Sequence, residues 1–156
     1  MGKKQYYQTK AAVYVVLIDT TNKILMMKRQ NTGFHDGEWG LPSGHLEPDE
    51  VLSDAARREA FEEANLKPLG LKFVHLMHRK AEPNDDDYVD VFYKVISYEY
   101  EGEGHIFNKE PHKCSEVAWL DFNNLPENTI PYIRTALEYI RNDVAYSEIG
   151  WDASSG

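Results

Sequence analysis

The sequence predicts a single α/β domain, an α/β/α sandwich around a mixed β-sheet. Three observations carry this. Short β-rich runs are separated by two stretches with helical apolar spacing. Gly, Asn, Asp and Pro clusters punctuate the runs at short intervals. A chain of 156 residues buries about two-thirds of its unfolded surface, enough for one hydrophobic core and too little for two domains.

The elements follow in order. Residues 11–18 and 23–29 are β-rich runs flanking the turn signal Asp19-Thr20-Thr21-Asn22, and the pair reads as a β-hairpin. Residues 31–44 are rich in glycine and aromatics and read as a loop, with strand-like Trp39-Gly40-Leu41-Pro42 inside it. Pro48-Asp49-Glu50 opens a helix that runs to about Ala64, because Pro loses no hydrogen bond in a first turn and acids suit the positive helix end. Asn65 is then a left-handed C-cap. Residues 71–79 and 88–97 read as strands joined by the acidic turn 82–87. A long polar loop over 99–116 leads to a short strand at 117–122. A second helix over 130–144 carries Ile133, Leu137, Ile140 and Val144 at helical spacing. Residues 1–145 form the domain, and 146–156 are expected as a flexible tail.

Composition excludes several functions. With 17 Lys+Arg against 26 Asp+Glu, the net charge is −9, which disfavours binding a nucleic acid polymer because such binding rests on neutralising phosphates. Phosphorylated small molecules remain compatible only if cations bridge them to the protein. Cys114 is the single cysteine, so no internal disulfide forms, and the composition suits a reducing cytoplasm. The apolar run at 11–18 is too short to span a bilayer, and the turn and strand after it argue against a secretion signal; no membrane association is expected. Residue patterning leaves a homodimer open.

The segment from Gly44 to Leu66 is the most informative. At roughly 100° per residue, Glu62 and Glu63 fall about 60° and 40° to either side of Glu59, on the arc that also holds Leu52, Ala55 and Ala56. An amphipathic helix ordinarily points its carboxylates away from its apolar stripe. Here the stripe that faces the protein body delivers three of them, like-charged at spacings of three and four and near the negative end of the helix dipole. A bound divalent cation is the economical solution, and oxygen-only ligands suit Mg²⁺ or Mn²⁺. The bland alternative is a solvated acidic face.

Gly44, five residues, Glu50, seven residues, and then Arg58-Glu59-Ala60-Phe61-Glu62-Glu63-Ala64-Asn65-Leu66 resembles the Nudix box, G-x5-E-x7-R-E-U-x-E-E-x-G-U with U aliphatic. Ala60 is smaller than the usual aliphatic residue and Asn65 stands where the pattern has Gly. The resemblance extends from the first hairpin through Trp39-Gly40-Leu41-Pro42-Ser43-Gly44 to Trp119-Leu120. It implies the Nudix-type α/β/α sandwich and Mg²⁺-dependent cleavage of a diphosphate linkage in a nucleotide, by water attack on phosphorus. By position, Glu59, Glu62 and Glu63 would be metal ligands, with Glu59 favoured as the base that deprotonates water, and Arg58 would orient the glutamates. The carbonyl around Ser43-Gly44 and the acid Glu116, with Glu110 behind it, would add ligands. Glu50 falls roughly opposite Glu59 on the wheel and is expected to tie the loop to the helix. Phe34, Trp39 and Trp119 are candidates to stack on a base, and Arg79 to touch phosphate. An isoprenoid diphosphate isomerase is disfavoured by the lack of a suitably placed cysteine. A ligand-sensing domain without turnover is the remaining alternative, although such domains usually lose the acids that are all present here.

Overall fold

The computed structural model describes residues 3–80, 86–100 and 105–151, with the backbone alone at Tyr100. The elements are β1 (Lys10–Val16), β2 (Lys23–Arg29), β3 (Trp39–Gly40), β4 (Ser43–His45), α1 (Leu52–Ala64), β5 (Leu66–Lys80), β6 (Asp87–Tyr100), β7 (Cys114–Asp121), α2 (Pro131–Arg141) and β8 (Tyr146–Ile149). A five-stranded mixed sheet has the order β4-β1-β6-β5-β8, with β1–β6 and β5–β8 parallel. A three-stranded antiparallel sheet has the order β3-β2-β7.

Alternation along β1 separates the core into two halves. Ala12, Tyr14 and Val16 pack with Met77, Phe92 and the α2 residues Ile133, Ala136, Leu137 and Ile140. Val13, Val15 and Leu17 pack with the α1 residues Ala55, Ala56, Ala60 and Ala64. The helices therefore cover opposite faces of the large sheet, which is the expected sandwich. Four fully buried alanines let the α1 backbone lie close to the strands, so small Ala60 packs where it stands.

The first hairpin is corrected. β1 and β2 meet only at the turn, through the Ile18–Ile24 bridge and the bond from Leu25 N–H to the Leu17 carbonyl, and then part into different sheets. Residues 12–16 of β1 and 24–27 of β2 are buried on both faces, so each strand needs two neighbours and becomes a central strand of its own sheet. The turn itself forms as expected: the Asp19 carboxylate accepts the N–H groups of Thr21 and Lys23, and Asn22 takes φ 65°.

Helix α1 begins at Leu52 rather than near Pro48, because Asp49 has φ 61° and Glu50 N–H closes a turn on the Glu47 carbonyl. It ends as expected on Asn65, left-handed at φ 60° and ψ 25°, whose N–H reaches the Ala60 and Phe61 carbonyls. Strands β5 and β6 are longer than the apolar runs alone imply. β7 starts at Cys114, three residues before the expected strand. Of the acidic turn expected at 82–87, residues 82–85 lie outside the described residues, and Asp87 already opens β6. Helix α2 stops at Arg141, where Asp143 turns left-handed and Val144 N–H returns to the Tyr139 carbonyl.

The tail expected from residue 146 is corrected in its first part. Tyr146–Ile149 adds to the edge of β5 as strand β8, its Ser147 hydroxyl bonded to the buried His75 ring at 2.7 Å. A four-residue strand without strict alternation gives no sequence signal of its own; the open edge of β5 organises it. No helix among the described residues is long and apolar enough to cross a membrane.

Candidate active site

β4 positions the chemistry. It is an edge strand, paired to β1 with Gly44 opposite Val13 and His45 opposite Ala12. Residues directly opposite in an antiparallel pair share a face. Gly44 therefore faces α1 with Val13, while His45 faces the α2 side with Ala12. A Cβ on Gly44 would collide with the Glu59 carboxylate, so only glycine leaves room for Glu59 against the strand.

Arg58 spans the loop and the helix. Its Nε and Nη2 donate to the two oxygens of Glu50 at 2.8 and 3.0 Å, a paired contact that ties the 46–51 turn to α1 as expected. Its Nη1 donates to Glu59 at 2.7 Å and Glu62 at 3.4 Å, and Nη2 also reaches the His45 carbonyl at 3.1 Å. Glu59 is 13% exposed and Glu62 49%, so the acidic stripe is graded, with Glu62 at the rim. Glu63 accepts the Ser43 N–H at 2.9 Å. Desolvation, and then the charges of Glu59 and Glu110, hold the Glu63 carboxyl well above the usual range. Desolvation also raises Glu59, against the opposing pull of Arg58.

These groups line one cleft of about 690 Å³. Glu59, Glu62, Glu63 and Gly44 are in its wall, as are Glu110, Phe34 and Arg79. The segment carrying Glu110 is held to α1 by the bond from Lys109 N–H to the Glu63 carbonyl. Glu116, expected as a further acid of the site, is instead exposed on β7 opposite Lys28 and does not line the cleft. Trp39, expected to stack on a base, is 7% exposed in the α2-side core, and Trp119 packs against the other core half. Both are cross-strand residues of the small sheet, and the aromatic count of the segment cannot reveal that. Phe34 is in place, 41% exposed at the rim with the Arg29 guanidinium 5.3 Å over its ring.

Lys28, Arg29 and Lys113 also line the cleft and form no ion pair among the described residues. Sequence reading missed them, since basic residues at strand ends and in loops are usually solvated; the sole available signal was the adjacent pair Lys28-Arg29 closing an otherwise apolar strand. Among the described residues, no three His, Cys, Asp or Glu side chains are drawn together closely enough to hold a metal ion as they stand. The reason is visible in their partners: Arg58 draws Glu59 and Glu62 to one side, and the Ser43 N–H draws Glu63 to the other.

Residues 8–140 match the family model of the NUDIX domain. The chain belongs to the Nudix family. Among curated Nudix relatives, it is 30% identical over 141 residues to the ADP-ribose pyrophosphatase of Methanocaldococcus jannaschii, covering 90% of this chain and 79% of that protein. It is 29% identical over 122 residues to human nucleoside diphosphate-linked moiety X motif 6, covering 74% of this chain and 36% of that one. The Nudix fold is shared with a MutT NUDIX hydrolase from Burkholderia pseudomallei, at TM-score 0.73 and 23% identity over 85% of this chain and 98% of that one. A MutT protein from Methanosarcina mazei superposes at TM-score 0.71 and 18% identity, over 89% and 97% of the two chains. Members of the Nudix family are hydrolases acting on small-molecule nucleotides.

Proposed function

We propose that this Nudix protein cleaves a diphosphate linkage in a nucleoside di- or triphosphate or a related nucleotide derivative by water attack on phosphorus, in the cytoplasm. The proposed cofactor is Mg²⁺, with Mn²⁺ as a substitute. The observation that carries the reading is the pair Glu59 and Glu63, turned into a cleft where burial and mutual repulsion disfavour their charge, beside a glycine whose missing side chain makes the room. The names of the curated relatives, a pyrophosphatase and a diphosphate-linked moiety protein, support the same class.

The donor set fits a hard divalent cation: carboxylate oxygens of Glu59, Glu62 and Glu63 and the Gly44 carbonyl, with no sulfur or imidazole competing among them. When bound, such a cation supplies neutralisation of the phosphate charge and polarisation at phosphorus. Glu59 is favoured as the base by its position in the box; desolvation raises its carboxyl, and Arg58 fixes one of its oxygens at 2.7 Å. Arg58 itself is fixed by Glu50, so rotation of the guanidinium is opposed from the loop side. Lys28, Arg29 and Lys113 supply cations along the cleft for phosphate oxygens that the acidic wall repels. Glu110 takes the place foreseen for Glu116 as an additional acid.

The test is a panel of nucleoside triphosphates, sugar nucleotides and ADP-ribose with Mg²⁺, comparing the parent with Glu59→Gln and Glu62→Gln. A fall of at least about a hundredfold in kcat is expected for Glu59→Gln, since a ligand or base contributes several kcal/mol to the transition state. An unchanged rate for both variants removes the helix from the chemistry.

A further inference from the structure

The far end of the cleft, on the α2 side of the large sheet, holds a second built arrangement. Arg79 and Asp90 are 5% and 0% exposed and joined by Nε to Oδ2 at 2.6 Å and Nη2 to Oδ1 at 3.3 Å. Tyr14 donates its hydroxyl to the same Asp90 at 3.0 Å and meets the Tyr132 hydroxyl at 3.2 Å. The guanidinium lies 4.5 Å from the Tyr88 ring and 3.9 Å from the Tyr132 ring, and Tyr88 in turn stacks on His45. Arg79, Tyr14, Tyr88, Tyr132 and His45 all line the cleft. Among the described residues, Nη1 of Arg79 makes no hydrogen bond. A nine-tenths buried guanidinium thus keeps one nitrogen, with two N–H donors, for something that enters the cleft.

Position and charge say what that is. Gly44 is in register with Leu76 through Val13 and Val91, three strand spacings across and three residues along from Arg79, so the two backbones are roughly 17 Å apart. That distance separates the two ends of a nucleotide rather than two oxygens of one phosphate. Asp90 neutralises Arg79 and is itself locked by Tyr14, so this end offers a hydrogen-bond donor without net positive charge. The cations that form no ion pair among the described residues, Lys28, Arg29 and Lys113, are elsewhere along the cleft, and the Arg29 charge is felt at Glu63. A phosphate gains more from those. An uncharged planar acceptor gains more from Arg79, where aromatic rings already flank the guanidinium.

We infer that Arg79 is a specificity-determining residue, reading the ring carbonyl of a 6-oxopurine nucleotide at the end of the cleft away from the carboxylates. The inference rests on the diphosphate-cleavage reading for which end of the substrate is left to Arg79. A 6-oxopurine presents its carbonyl as an acceptor to an N–H of Nη1. A 6-aminopurine presents an N–H donor there, which meets the guanidinium donor-to-donor and leaves it desolvated and unpaired. The preference would separate this chain from the adenine nucleotide in the name of its archaeal relative. It also revises the expectation that Arg79 touches phosphate.

The experiment compares ITP with ATP, which differ in oxygen against amino at the purine 6 position and in the N1 proton that accompanies the oxygen. Both kcat/KM with Mg²⁺ and calorimetric Kd without turnover are measured for the parent, for Arg79→Gln, and for the double variant Arg79→Gln/Asp90→Asn. The double variant guards against the uncompensated buried carboxylate left by the single change. The ITP/ATP ratio is independent of how much of a preparation is folded. The expected result is a parent ratio of at least about tenfold, falling to within about threefold in the variants. A parent ratio near one, or a variant that loses both nucleotides equally, overturns the assignment; equal loss is the outcome for a phosphate ligand. Tight, selective binding without cleavage of any nucleotide upholds Arg79 and defeats the diphosphate-cleavage reading, so the two failures are separable.

Discussion

Replacing Glu63 by Gln should make the metal-free protein more stable at neutral pH while weakening its response to Mg²⁺. The folded carboxyl of Glu63 lies well above its ordinary range because it is desolvated and faces Glu59, and only the Ser43 N–H at 2.9 Å opposes this strongly. A carboxyl raised on folding binds its proton more tightly in the native state. Its stabilising contribution is therefore complete below the unfolded value near 4.3 and is lost as pH rises through the folded value. At pH 7 the charge is a net cost to the fold. Gln has the same shape, carries no charge, and still accepts from Ser43. Two carboxylates about 6 Å apart repel by roughly 3 kcal/mol at an effective dielectric of 20, and partial solvent access reduces this to about 1–2 kcal/mol. For 156 residues each kcal/mol moves Tm by about 2–4 °C, so a rise of about 2–8 °C is expected. The assay is a thermal melt in EDTA at pH 7 and again at pH 4.5, where the gain should shrink. Added Mg²⁺ should then raise the Tm of the parent more than that of the variant. A Gln variant no more stable than the parent at pH 7, or equally stabilised at both pH values, refutes the reasoning.

Two further outcomes follow from the same geometry. Gly44→Ala places a Cβ onto the Glu59 carboxylate, which can swing aside cheaply because it is the end of a flexible side chain; the melt should move by only a few degrees, while kcat falls by at least about tenfold, as a steady-state assay beside a melting curve would reveal. Asp87 is held down to about 2 by hydroxyl donors from Thr9 and Tyr7 and by the His78 ring. Its contribution to stability is present above the ordinary carboxylate value near 4 and lost as pH falls towards 2, so Asp87→Asn should lower the melt at pH 7 and flatten the acid limb of a stability-against-pH curve, the two proteins converging near pH 2.

The parts of this protein that were legible from residues alone are those written in short-range chemistry. The Asn65 cap follows from a residue that tolerates the left-handed conformation at the end of an apolar repeat. The inward carboxylates follow from the period of one helix; Glu50, placed on the same wheel from sequence, lies in the turn before the helix and is bound there to Arg58. Errors came where long-range pairing decides. Two apolar runs around a good turn look like a hairpin, but burial on both faces sends β1 and β2 into separate sheets. Glu110 and Glu116 are equivalent acids on paper, and only the docking of the 105–113 segment onto α1 puts the first in the cleft and leaves the second outside.

The order of residues from Gly44 to Leu66 was sufficient to specify a helix that turns carboxylates towards the protein body, and its family, because spacing on one helix is fixed by the chain itself. The other wall was not available in that way. Arg79, Tyr88, Tyr132 and Tyr14 come from three strands and a helix separated by up to 118 positions, and they meet only because β1 pairs in parallel with β6 and α2 covers that face. Register across a sheet is set by which edges find each other during folding, and a linear sequence carries that information only collectively. The chemistry at one end of the cleft is therefore a property of a segment, and the selectivity at the other end is a property of the fold.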